Sequence, residues 1–257
     1  MLNYMRSEFY RIFHSRAFYV TLAAFIGLAM AVNVLLLFMI HEDPNFSYAM
    51  TSFSYSNYVV HPMWNAYAAV LITYILYEGT NRNGNLKNVV ALGINREKIF
   101  LVRCIVSTVV DCTILAITLL CYIGSAELLL QTAGPVLWQD MFKTAAVAFF
   151  VAIASVVLMT GAITMVKKEW LGFFIWFAVF EIIPAGVFLL SLQFTSLQDL
   201  AMWMPKNFFE WMHDVSLTTF EPIWQSVDGL ERCVISGLAG IVIFGIVCLW
   251  RVKKMEV

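Results

Sequence analysis

Charge is what this chain has least of: 13% of its 257 residues are Asp, Glu, Lys or Arg, against 61% hydrophobic. An ordinary soluble domain needs about a quarter of its residues charged, so that class is excluded. Together with a mean hydropathy of +0.79, the deficit points to an integral membrane protein. Cysteine is sparse too. Cys104, Cys112, Cys121, Cys233 and Cys248 are odd in number, lie in apolar runs and show no C-x-x-C spacing, which excludes a disulfide or zinc framework and leaves them as small hydrophobes. A nucleotide site is missing. Gly79 to Gly84 has the G-x-x-x-x-G spacing, but Asn85 and Leu86 stand where a lysine would meet phosphate and a hydroxyl would meet magnesium. There is no G-x-S-x-G elbow and no paired membrane aspartate of the protease kind. His41, Glu42, Asp43 and His61 lack the helical H-E-x-x-H spacing of a zinc site. No soluble linker or internal repeat is visible, so the chain reads as one domain, 1–257.

What is present is apolar length. Six segments, about 17–40, 60–77, 99–124, 142–166, 170–194 and 230–250, reach the roughly 20 residues needed to cross about 30 Å of hydrocarbon. With the amino terminus inside, only Lys143, Lys206 and Arg232 of the 16 Lys and Arg fall on the outer side. That asymmetry places both termini in the cytoplasm of a multi-pass plasma-membrane protein, and it leaves a negative outer face. A signal peptide competes at the start, because Ala29, Met30 and Ala31 have the small-x-small form. Cleavage there would leave Val32 to Ile40 as a bare apolar end.

Residues 2–16 put Leu2, Met5, Phe9, Ile12 and Phe13 on one helical face, with Tyr4, Ser7, Glu8, Arg11 and His14 largely opposite, as in an interfacial helix. Pro62 suits the first turn of the second span. Only Lys167, Lys168 and Glu169 separate the fourth and fifth spans, which are therefore expected as antiparallel neighbours, and the Ala, Ser, Thr and Gly of the fourth permit close helix contact. The outer segment 195–229, with Trp203, Phe208, Phe209, Trp211, Phe220 and Trp224 punctuated by Pro205 and Pro222, is expected as short interfacial helices.

Two carboxylates, Asp111 and Glu181, fall in mid-span, where an ionised carboxylate costs about 2.5–3.5 kcal/mol on insertion scales. Either they are hydrogen-bonded to neighbours such as Asn33, Asn65 or Thr113, or they line an internal cavity on a substrate path. Pro184, just beyond Glu181, would bend the fifth span and free a carbonyl. On the cavity reading Asp111, Glu181, Asn33 and Asn65 form the pathway, and Glu181 contributes to passage of a cationic substrate.

The longest polar interval with a basic bias runs from Glu78 to Arg103. Leu86, Val89, Val90 and Leu92 are apolar, with Lys87 and Asn88 on the other side, between the natural stops Gly84 and Gly93. Asn95 is a candidate N-cap for the next helix, with Lys98 in its first turn. Basic residues there also follow from topology alone.

That layout, carried by Glu78, Asn83, Gly84, Leu86, Lys87, Asn88, Gly93, Arg96, Lys98, Ile99 and Leu101, resembles the first cytoplasmic loop of ABC-2 type permeases. Asn85 replaces the usual Thr or Ser, and Gly93 a common Pro. The opening S-E-F-Y-R-I-F-H-S-R is similar to the start of the same family. The resemblance implies an all-α fold of six transmembrane helices with an N-terminal interfacial helix, a cytoplasmic coupling helix in loop 78–98 and short extracellular helices. It implies that Glu78, Gly84, Leu86, Lys87, Val89, Val90, Gly93, Arg96 and Lys98 meet a separate ATPase subunit, in two copies, which holds the ATP and magnesium. A second permease chain, identical or homologous, completes the assembly; no cofactor is expected in this chain and no nucleic acid as partner. The implied function is export of a peptide or a hydrophobic or cationic compound, as in antimicrobial-peptide immunity and drug resistance. The alternative is an ion-coupled carrier or channel in which Asp111 and Glu181 titrate, and behind it stands a membrane enzyme or scaffold.

Overall fold

The computed structural model describes residues 2–42, 46, 48–78, 89–91, 93–166, 168–215 and 219–254. Its helices are α1 (Leu2–Phe13), α2 (Arg16–Glu42), α3 (Thr51–Val59), α4 (Trp64–Tyr77), α5 (Arg96–Leu129), α6 (Trp138–Met165), α7 (Trp170–Phe177), α8 (Ile183–Ser191), α9 (Gln198–Met202), α10 (Pro205–Trp211) and α11 (Val227–Lys254). A π-helical turn, Ala178–Ile182, joins α7 to α8, so that they form one 22-residue rod. The only strands among the described residues, β1 (Asp214–Val215) and β2 (Phe220–Glu221), pair antiparallel.

Five helices are long and apolar enough to cross a membrane: α2, α5, α6, the α7–α8 rod and α11. The continuous span expected over 60–77 is not there. The 14 residues of α4 reach about 21 Å at 1.5 Å per residue, short of the hydrocarbon thickness. Before it the chain turns by 70° into α3, and only the bent pair taken together makes a sixth candidate, as a broken span or a re-entrant loop. Pro62 sits in the break and not in a first helical turn; Trp64 N donates to His61 O at 3.0 Å and Asn65 N to Pro62 O at 3.2 Å across it. The interval between the first two expected spans, 41–59, therefore holds a helix. Hydrogen bonds anchor its Ser- and Tyr-rich sequence: Ser54 donates to Asn33 Oδ1 at 2.5 Å, and Tyr122 donates to Ser54 O at 2.7 Å.

The axis of the bundle is α6. Within its apolar window 72% of residues are buried, against 6% for α2. It touches α11, α4, α7, α5 and α3, and small residues set the approach. A Cβ on Gly237 of α11 would lie 2.8 Å from Val151 N, and one on Gly240 would lie 2.9 Å from Ala154 Cβ. In the reverse direction, Cys248 Sγ of α11 occupies the space a side chain on Gly161 would need. Gly172 of α7 approaches Ala162 and Ile163 in the same way, which makes α6 and α7 the neighbours that their short connection requires. Lipid is as apolar as leucine, so contact of this closeness, and not burial from water, is what holds such helices together.

Both ends of the described chain meet at one end of the bundle. Lys253 Nζ lies 3.7 Å from Glu97 Oε1, and α1 covers the start of α5. The apolar face of α1 packs as its pattern suggests, with Ile12 buried and Met5, Phe9 and Phe13 against the core, but Glu8 is buried beside them and Leu2 is exposed. Nearby stands Arg103, expected among the loop bases but 3% exposed on α5. Its guanidinium lies 5.0 Å from the Tyr77 ring centroid, with Arg11 at 5.5 Å from the same ring, and Arg11 is paired to Glu8 at 2.7 Å. Tyr4 joins this cluster. Burial pushes its hydroxyl up to about 12, with the Glu8 carboxylate adding to the shift and Arg103 opposing it.

Because Gly237 admits no side chain, Gly237→Val should lower the thermal unfolding midpoint of the detergent-solubilised protein by an amount corresponding to about 1–3 kcal/mol of overpacking. Gly245→Ala, at a position with open space around it, should leave the midpoint unchanged. Equal midpoints for both variants would show that α6 and α11 do not meet as described.

Candidate functional site

Glu181 sits in the π-helical turn immediately before Pro184, which occupies the first turn of α8. Proline can neither donate a backbone hydrogen bond nor fit against the preceding turn. The helix widens there, and the chain from 195 onward supplies partners. Asn207 Nδ2 donates to Pro184 O at 3.1 Å and to Ala201 O at 2.9 Å, which docks α10 against α8. One residue earlier, Lys206 Nζ reaches Glu181 Oε2 at 2.8 Å, and Tyr67 of α4 donates to Glu181 Oε1 at 2.5 Å. Both carboxylate oxygens are thus engaged inside a site where Glu181 is 8% exposed. The segment expected to rest at an interface does form short helices, yet it buries Asn207, Phe208 and Phe209 while Trp211 stays exposed.

Asp111 is placed differently. It is 3% exposed near the middle of the 34-residue α5. Its Oδ2 has only Thr73 Oγ1 at 3.5 Å, and its Oδ1 has no hydrogen-bond partner. It lines a cleft of about 170 Å³ between α5 and α6, backed by Asn65 and Ala69 of α4. Asn65 spends its side chain locally, accepting from Tyr58 at 2.7 Å and donating to Pro62 O at 3.0 Å. Asn33 does not join the group. It is fully buried elsewhere, donating to Tyr122 O and Ser125 Oγ and accepting from Ser54. Thr113 turns back on its own helix, to Val109 O.

The four residues expected on one pathway are therefore divided: Asp111 and Asn65 share a cleft, and Glu181 and Asn33 are each closed in their own networks. Helical geometry separates the two carboxylates. At 100° per residue, Tyr67, which holds Glu181, lies about 200° around α4 from both Asn65 and Ala69, which line the Asp111 cleft. No local signal announced Lys206 or Tyr67, because the pairing joins positions 25 and 114 residues apart.

Of the residues expected to meet an ATPase, Gly84, Leu86 and Lys87 lie outside the described residues. Glu78 is exposed. Val89 and Val90 are half-buried in a helical stretch at 89–91. Gly93, at φ +83°, ends it: Gly93 N donates to Val90 O at 2.9 Å and Ile94 N to Val89 O at 3.4 Å, the paired bonds of a Schellman motif. Asn95 then starts α5 with an extended backbone but makes no side-chain cap. Arg96 is half-buried in the first turn, and Lys98 is exposed.

The Glu181–Lys206 pair predicts a measurable coupling. A double-mutant cycle of Glu181→Gln and Lys206→Met, read by thermal unfolding, should give an interaction energy of about 0.5–3 kcal/mol, with Lys206→Met alone the more damaging single change because it leaves a buried carboxylate uncompensated. Additive effects would show that the two side chains do not meet.

Compared with known protein families, curated proteins and solved structures, this chain matches none.

Proposed function

We propose that this chain is the membrane subunit of an ATP-driven exporter of the ABC-2 type. In this reading the bent α3–α4 pair counts as one broken span, giving six, and both termini face the cytoplasm across the plasma membrane. Energy comes from a separate ATPase in two copies, and a second permease chain completes the assembly. The observation that carries the reading is the helix stop at Gly93. The helical residues 89–91 stop at Gly93 and are followed at once by α5, at the end of the bundle where α1 and the end of α11 also lie, which supports a coupling helix there.

An ion-coupled carrier built on two titrating carboxylates finds less support, because Glu181 is paired to Lys206 and stands on the far side of α4 from Asp111. The cargo class, a peptide or an apolar or cationic compound, rests on the family resemblance and on the negative outer face.

The test is biochemical. The chain purified from its own membranes should carry an ATP-hydrolysing subunit in equal amount. Val89→Asp should remove that subunit and its activity, whereas Gly245→Ala, at an open position on α11 away from the loop, should retain both, and the two variants should unfold at the parental midpoint. Undiminished ATP hydrolysis in the Val89→Asp preparation would overturn the reading.

A further inference from the structure

We propose that the cleft between α5 and α6 is a binding site for a small apolar amine, its ammonium group meeting Asp111 and its apolar body filling the space in front. This rests on the chain's own geometry and is independent of the transport reading. Helix periodicity builds the cleft. Thr108, Asp111, Cys112, Leu115 and Leu119 follow one stripe of α5 at three- and four-residue steps. Phe142, Ala145, Phe149 and Ala152 follow the facing stripe of α6. The alanines leave the gap that larger side chains would close. Phe142 and Phe149, 38% and 40% exposed, stand at its mouth, which opens on the apolar outer surface of the bundle.

Size and polarity select the occupant. A cavity of about 150 Å³ lined by apolar side chains takes up benzene, so about 170 Å³ accepts one six-membered ring or a short alkyl chain. On the oxygen-bearing side chains of the α5 wall, the hydrogen-bonding capacity left over is for accepting. Thr108 has already donated its hydroxyl proton to Cys104 O at 2.9 Å, and its oxygen remains able to accept. Asp111 adds a carboxylate with an unpartnered Oδ1. An ammonium brings three N–H donors and the missing positive charge; an anion brings neither. None of the cleft's described lining residues is a Lys, Arg or His, so the counter-charge that Lys206 supplies to Glu181 has no internal equivalent here. An ionisable side chain at this depth is ordinarily matched by a partner. Depth also names the source. Asp111 lies about 22 Å along α5 from Arg96, beyond the reach of a headgroup at the surface, so the amine enters from the apolar layer.

The test uses the full chain in detergent and compares cyclohexylmethylamine with cyclohexylmethanol, which has nearly the same shape without the charge. The amine should raise the tryptophan-monitored unfolding midpoint saturably, with half-saturation about tenfold or more below that of the alcohol. Asp111→Asn should abolish that preference. Ala145→Phe, which fills the cleft and leaves the carboxylate in place, should abolish the response to both compounds. Equal responses of the parent to amine and alcohol would overturn the proposal, as would an amine preference that survives in either variant. An Ala145→Phe protein that changes from dimer to monomer, in a parent that ignores the amine, would overturn it also and assign the cleft to a second copy of the chain.

Discussion

Close approach of helix backbones is the constraint on which the rest of this structure depends. Between helices surrounded by hydrocarbon, apolar contact alone is neutral, so the architecture has to come from van der Waals fit and from polar groups satisfied across helices. The fit is concentrated on α6, where Phe150, Ala154 and Gly161 receive Gly237, Gly240 and Cys248 of α11 and where Gly172 of α7 comes in from another side. The polar satisfaction is concentrated elsewhere, in the Asn33, Ser54, Tyr122 and Ser125 network that ties α2 and α3 to α5. Packing and hydrogen bonding divide the work by location.

Against that frame the two mid-bundle carboxylates have opposite characters. Glu181 is neutralised by a lysine delivered from a distant segment, and the π-helical turn and Pro184 provide the irregular backbone on which that segment docks. Such a group stabilises an arrangement and is poorly placed to exchange ligands. Asp111 has a regular helix around it and weak internal bonding, in a cleft with apolar walls. The same residue chemistry at a similar depth serves different ends, because one site supplies its own counter-charge and the other does not.

How much of this was legible follows from the range of each signal. Apolar periodicity and length located α2, α5, α6, the α7–α8 rod and α11, because those properties are local. Gly93 was readable as a stop for the same reason. The break at Pro62 was not, since hydropathy counts apolar residues and is blind to a change of direction, and Thr51–Val59 is too polar to register as part of a span. The burial of Glu8 escaped because the polar cluster around it draws in Arg103, which is buried and lies far along the chain. Lys206 was assigned by its position outside the apolar runs, and only the fold of 195–229 carries it to Glu181. The cleft beside Asp111 had a faint signal in Ala116, Ala145 and Ala152, small residues on facing stripes whose meaning depends on which helices face each other.

The two points where α11 meets α6 most closely have a mechanical consequence. Phe150 to Gly161 on one helix and Gly237 to Cys248 on the other are both steps of eleven residues, taken in the same direction, so bump and notch recur at matched intervals of about 16 Å. At one point the bump belongs to α6 and the notch to α11; at the other the roles are reversed. Two opposed keys at equal pitch resist sliding along the common axis in either sense. The pair therefore behaves as a single beam, fixed in its lengthwise register by contacts that a sliding motion would have to break at both points.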